Sequence, residues 1–239
     1  ATAAVAVAGD GHLQLKAATS LDPDGIRYTF TYANQVHSPL RQVTLHVEPP
    51  AQLRVDYGSL PAGMEARGHR VVISQLHGGQ SASHGALVSC ADTPTPQMRV
   101  AGFVSYLEDR MGANEPRNLA FHLTILMDQV LRPKAVSTAQ FGEMWPRHAS
   151  QRKFTVATKS VSTPARYMEV MEEKLHLAPV QVIGAECIMC GSIVGSGVTV
   201  LVHAKVGLNN GSAVEVTVRS PDNRLSDNVQ RLCMQALGP

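Results

Sequence analysis

Cys187 and Cys190 form the one CxxC of the chain and raise the first chemical question. A structural zinc site normally takes a second pair of ligands, and no other Cys or His pair stands at ligand spacing. A thioredoxin-type redox pair opens a helix after a strand, whereas 187–194 (CIMCGSIV) reads as a strand itself. Side chains three apart on a strand point to opposite faces, so buried structural thiols stand against the metal or redox reading. Gly191, Gly195 and Gly197 spell neither GxGxxG before a helix nor GxxxxGK followed by Ser or Thr, and a strand comes next. A hairpin turn fits them. Asn210-Gly211-Ser212 spells a glycosylation sequon, which matters only in a secreted chain, and it serves equally as a turn. The ten histidines are scattered, without HExxH or a His–carboxylate cluster, and no GxSxG, Cys–His signature or close acid pair occurs. The sequence therefore offers no catalytic residue, no metal ligands and no cofactor site.

The sharpest candidate is aromatic. Phe141, Met144 and Trp145, the single tryptophan, fall at i, i+3 and i+4 and so share one helical face. Either they form a hydrophobic seam between two domains, or the indole lines a shallow groove. Such a groove would accept aromatic side chains of a peptide, with nearby Arg or Lys orienting its acidic groups.

The elements around these residues change type near position 132. Before it, 26–33, 41–47, 51–57, 69–76, 85–90, 97–107 and 118–127 alternate apolar and polar side chains with a period of two. Turn formers separate them: DPDG at 22–25, EPP at 48–50, LPAG at 60–63, TPTP at 93–96 and GANEP at 112–116. Short alternating strands of this kind predict an all-β immunoglobulin-like sandwich over 1–134, with Pro133 ending its last strand. After it, Ser137 or Thr138 caps a short helix limited by Pro146, and 153–158 is a strand. Thr163-Pro164 opens a helix through Leu175, with Tyr167, Met168, Met171, Leu175 and Leu177 as its apolar stripe. Strands at 180–184, 187–194, 198–206 and 213–219 follow, turning at Gly195-Ser196-Gly197 and Asn209-Asn210-Gly211. A helix over 222–237 closes the chain. Residues 135–239 thus predict an α+β platform, an antiparallel sheet flanked by helices.

Composition narrows the partners. A net charge of +2, from 21 basic and 19 acidic side chains, is too small for binding nucleic acid through counterion release. One Trp and few aromatics supply no row of base-stacking platforms. No apolar run reaches a membrane span, the longest (Leu119 to Met127) being broken by His122 and Thr124, so no direct membrane insertion is expected. The opening ATAAVAVAG lacks a basic n-region and an initiator Met and reads as a cut within a longer chain, not as a signal peptide. The spacing of Cys90, Cys187, Cys190 and Cys233 suggests no disulfide framework, and reduced thiols in the cytosol are expected.

The order of elements carries a resemblance. LAFHLTILMDQVLRP leads into STAQFGEMW, and VQVIG, paired strands, VEVTVRSP and the helix LSDNVQRLCMQAL follow. This resembles the C-terminal appendage, or ear, of adaptor-complex large subunits, above all the alpha and epsilon types, with the epsilon type of the trans-Golgi adaptor closer by its platform. The resemblance implies a sandwich and platform hinged to an adaptor trunk. It implies a cytoplasmic place, peripheral on trans-Golgi, endosomal or plasma-membrane coated vesicles. It implies partners too: accessory or coat proteins bound through short linear motifs with aromatic anchors, and other adaptor subunits met through the trunk. The platform pocket of the alpha type corresponds here to Phe141 and Trp145, with Arg219 matching one of its basic residues and Lys205 at the position of another. Gly142 replaces an aromatic, Met144 replaces a basic residue, and Glu215 stands where Arg is expected, so the pocket is expected to read a different peptide. The alternatives are a secreted or structural β-sandwich interaction module without a peptide platform, or a domain acting through its CxxC.

Overall fold

The computed structural model describes residues 2–108, 115–158 and 160–238. The chain divides into two compact units, Ala1–Ala91 with Gln97–Ile125 and Asp92–Pro96 with Leu126–Pro239.

The first unit is built of ten antiparallel strands. They are β1 (Val5–Gly9), β2 (Leu13–Asp22), β3 (Gly25–Asn34), β4 (Leu40–Glu48), β5 (Leu53–Asp56), β6 (Met64–Arg67), β7 (Arg70–Leu76), β8 (Ser81–Cys90), β9 (Gln97–Glu108) and β10 (Arg117–Leu126). Two five-stranded sheets result, in the orders β1-β2-β3-β8-β5 and β10-β9-β4-β7-β6. The alternation read in the sequence is the alternation of burial: Tyr28, Phe30 and Tyr32 of β3 and Val43, Leu45 and Val47 of β4 face the core. Asn34 links the sheets, donating from Nδ2 to the Leu76 carbonyl at 3.0 Å. Strands β1, β2 and β6 were not expected: β2 and β6 hold one β-branched residue between them, Thr19, and no aromatic, and β1 is a five-residue VAVAG run. The turn expected at 112–116 begins in residues 112–114, outside the described residues.

This core also encloses a histidine. His84 is 3% exposed and stacks against Tyr32, with Phe30 and Tyr57 also near its ring. Its Nδ1 donates to the Gly85 carbonyl at 3.1 Å, so Nε2 accepts the Tyr32 hydroxyl at 2.8 Å. Both nitrogens are used by the neutral ring, and burial pushes the His84 pKa down. The unfolded chain therefore binds this proton more readily than the folded one. Stability should be fully present above the ordinary His value of about 6.5 and fall as pH drops through it. The slope approaches about 1.4 kcal/mol per pH unit for one proton and ends at the lower folded pKa. Urea unfolding of the native chain and of His84→Gln between pH 7.5 and 5.5 checks this. An equal pH dependence in both would assign the effect elsewhere.

The second unit is a six-stranded antiparallel sheet with helices. Its strands are β11 (Leu131–Pro133), β12 (Ser150–Ala157), β13 (Ala178–Ile183), β14 (Glu186–Ile193), β15 (Thr199–Gly207) and β16 (Ala213–Ser220). The order is β11-β14-β15-β16-β12, with β13 beside β11 on the same edge of β14. Pro133 does not end the sandwich, contrary to the sequence reading. β10 stops at Leu126, a 3-10 turn covers Met127–Val130, and fully buried Leu131 starts a strand paired with Ile193 of the platform.

Helix α1 (Thr138–Met144) starts at Ser137, whose hydroxyl accepts from the Gln140 N–H while Gln140 Oε1 accepts from the Ser137 N–H at 2.8 Å. A 3-10 turn, Trp145–Arg147, carries Pro146 and ends it. Helix α2 (Pro164–Leu175) is capped by Thr163 and ends at His176, whose φ of 54° is left-handed. It buries Tyr167, Val170, Met171 and Leu175, whereas Met168, expected in the stripe, is only half-buried because Val170 takes the inner position. Helix α3 (Asn223–Leu237) is capped by Asp222, which accepts from the Leu225 N–H at 2.8 Å. Helices α2 and α3 pack on one face of the sheet. Gly195 and Gly197 have φ of 81° and 69°, and Asn209, Asn210 and Gly211 are all left-handed, which is why these residue types make the turns.

Candidate functional site

The opposite face of the platform sheet is only partly covered. Strand register sets its side chains in rows across neighbouring strands. One row runs Glu186, Lys205, Glu215, Thr155; the next runs Gln181, Ile188, His203, Thr217, Lys153; the third runs Ala178, Cys190, Leu201, Arg219, Gln151. Helix α1 lies over the apolar members. Phe141, 5% exposed, joins Ile188, Cys190 and Leu201 in one cluster, with Val136, Met144, Trp145 and Val180 packed at its margin. A seven-residue helix is too short to persist in water unaided, so this cluster is what holds α1 in place.

Trp145, half-buried, stands where the cover ends. Its ring lies 5.4 Å from Phe141 in a stacked arrangement, and His203 meets it edge-on at 6.0 Å. The Arg219 guanidinium lies 4.9 Å from the indole centroid and donates through one terminal nitrogen to the Trp145 carbonyl at 2.7 Å. Arg219 is in turn held by Gln151, whose Oε1 accepts from Nε at 2.8 Å. The indole is therefore fixed through its ring and its backbone. Its remaining surface borders the polar rows.

Those rows carry nearly balanced charge. His203 Nε2 donates to Glu186 at 2.7 Å and Lys205 Nζ lies 3.1 Å from the same carboxylate, while Lys153 Nζ lies 3.0 Å from Glu215. The His203 hydrogen bond, then that of Lys205, holds the Glu186 carboxyl below its usual range. All five candidate residues thus lie on one face of one sheet or on the helix and 3-10 turn covering it. Phe141 is a buried anchor, Trp145 and Arg219 are in contact, and Lys205 and Glu215 are cross-strand partners each engaged by another side chain. The sequence reading missed Gln151, His203, Glu186 and Lys153. His203 was within reach, standing two before Lys205 on one strand and so on the same face. Gln151 was not, since 68 residues separate it from Arg219.

The CxxC is divided between the two faces. Cys190 packs in the Phe141 cluster, whereas Cys187 lies near Tyr167 of α2. Burial pushes the Cys187 thiol to about 12 and the Cys190 thiol to about 11. Both are protonated at neutral pH and turned apart, which suits neither chelation nor thiolate chemistry. Among the described residues all four cysteines are buried, and Cys187, Cys190 and Cys233 are free thiols.

Residues 133–236 match the family model described as "Adaptin AP4 complex epsilon appendage platform". A curated relative, AP-4 complex subunit epsilon-1 of Mus musculus, is 25% identical over 150 residues, which cover 61% of this chain and 12% of the relative. The match thus spans about an eighth of that relative's length. Among solved structures, the GAE domain of GGA2p from Saccharomyces cerevisiae is 14% identical, with 52% of this chain and 97% of that one covered and a TM-score of 0.34. A GH20 exo beta-N-acetylglucosaminidase from Vibrio harveyi, 9% identical, covers 87% of this chain and 40% of its own at a TM-score of 0.25. At those scores neither structure bears on fold or function. The platform match and the epsilon relative support an adaptor appendage domain of the epsilon type, the match lying in the platform of this chain.

Proposed function

We propose that this chain is an adaptor appendage of the epsilon type and recruits accessory proteins by binding short peptide motifs on its platform during vesicle-mediated transport. It would act as a binding module and not as an enzyme, on the cytosolic face of coated membranes and tethered there through its adaptor trunk. The observation that carries the reading is Trp145, an immobilised and partly accessible indole beside an open polar strip. An aromatic held at low entropy cost, with polar groups beside it, is what a few-residue motif needs as an anchor. The carboxylates of the strip are already paired with lysines, so aromatic and apolar side chains should carry more of the recognition than acidic ones. A motif of this length buries far less than a standard interface, so single-site binding is weak and selectivity gains from multivalency.

Arg219 tests the reading from a second side. Arg219→Ala removes the cation over the indole and the bond to its carbonyl. A loss of about 0.5–2 kcal/mol in peptide binding is expected, since the indole is freed to move. Pull-down from cytosol with the chain, Arg219→Ala and Trp145→Ala, read by mass spectrometry, decides the matter. Recovery of the same proteins by all three would overturn the platform site.

A further inference from the structure

We infer that the outer edge of β13 is a second docking surface, one that takes up an extended and mainly uncharged peptide segment of a partner as an added strand. β13 pairs with β14 alone. Among the described residues, Pro179–Gly184 form no backbone hydrogen bond outside that ladder. Alternate N–H and C=O groups along the outer edge are therefore open to an extended chain. The two edges of the sheet are treated differently. β12, the far edge, carries Arg152 and Lys153, charges that deter strand addition. β13 (APVQVI) carries no charge, and the Gly184-Ala185 turn that follows adds none.

Two apolar side chains mark the accessible end. Val182 is 47% exposed and Ile183 is 55% exposed, on opposite faces of the strand. An added strand would lay its alternate side chains across them, so β-branched or aromatic residues at alternate positions are the fitting chemistry. A second copy of the chain fits less well. Pro179 and the register shift between Pro179 and Gln181 blunt the first half of β13, leaving about three residues for pairing. A symmetric pair of such short edges buries far below the roughly 1,200 Å² of a stable interface. A peptide has no such requirement.

The test uses the full chain carrying Trp145→Ala, so that its outcome is independent of the platform groove. A displayed library of random twelve-residue peptides is selected on it, and synthetic copies of the selected peptides are titrated with amide resonances and hydrogen exchange as readouts. Uncharged, alternating peptides should emerge, shift and protect amides within 181–184, and bind at least tenfold more weakly to Val182→Lys. Ile183→Glu serves as a second exposed-site variant, and an unchanged amide spectrum elsewhere shows that both remain folded. Failure to recover any peptide that protects those amides, or equal binding to both variants, overturns the proposal. Concentration-dependent dimerisation abolished by Val182→Lys overturns it too, in favour of a second copy.

Discussion

Trp145→Ala is expected to weaken capture of platform peptides at least tenfold while leaving the module folded. A tenfold loss corresponds to about 1.4 kcal/mol, and a central aromatic anchor commonly exceeds 2 kcal/mol when truncated. The stability cost should be smaller. The indole is only half-buried at the margin of the cluster, so removing it leaves Phe141, Ile188, Cys190 and Leu201 in contact. What is lost is the cation–π contact with Arg219, about 0.5–1 kcal/mol for an accessible pair. The Arg219 bond to the residue-145 carbonyl survives the substitution, because it is made to the backbone. Calorimetric titration with peptides recovered from cytosol measures the first effect, and urea unfolding measures the second. Equal affinities for the two chains would mean that the indole only closes the end of α1.

The sequence made some of this visible and hid the rest for physical reasons. Alternation exposed most strands, because a half-buried antiparallel sheet must repeat every two residues. The cap at Ser137 or Thr138 and the limit at Pro146 bounded α1 to within a residue or so, since capping chemistry is local. Phe141 and Trp145 were legible for the same reason, being four apart on one helix. The floor of the site was not. Its rows join residues from four strands, and the partners that neutralise Lys205 and Glu215 depend on register, which no single strand encodes. The two faces of the CxxC strand did follow from its period, yet only the packing of α1 and α2 shows that both sides are dry.

Phe141→Ala should have the larger structural effect and should remove binding by another route. Phe141 is 5% exposed and fills the space between α1 and the sheet. Truncating a buried phenylalanine costs about 3–5 kcal/mol in transfer and cavity terms. Here part of that cost can be relieved locally. The helix is seven residues long, below the length that sustains itself, and its other ties to the sheet lie at its margins: the Thr138 hydroxyl on Gln181, the apolar contacts of Met144 and Trp145, and Arg219 on the Trp145 carbonyl and ring. The helix should therefore lose its seat before the sheet unfolds, because the core of Tyr167, Met171, Leu225 and Val229 on the far face is untouched. Amide exchange in 138–147 should accelerate strongly while that of β15 and β16 changes little, and the Trp145 fluorescence should move to that of a hydrated indole. Peptide capture should then fail, although every polar group of the floor remains. Phe141→Leu, which keeps most of the apolar volume, should restore much of both. If exchange in α1 and peptide affinity are unchanged in Phe141→Ala, the anchor of the site lies elsewhere than in this cluster.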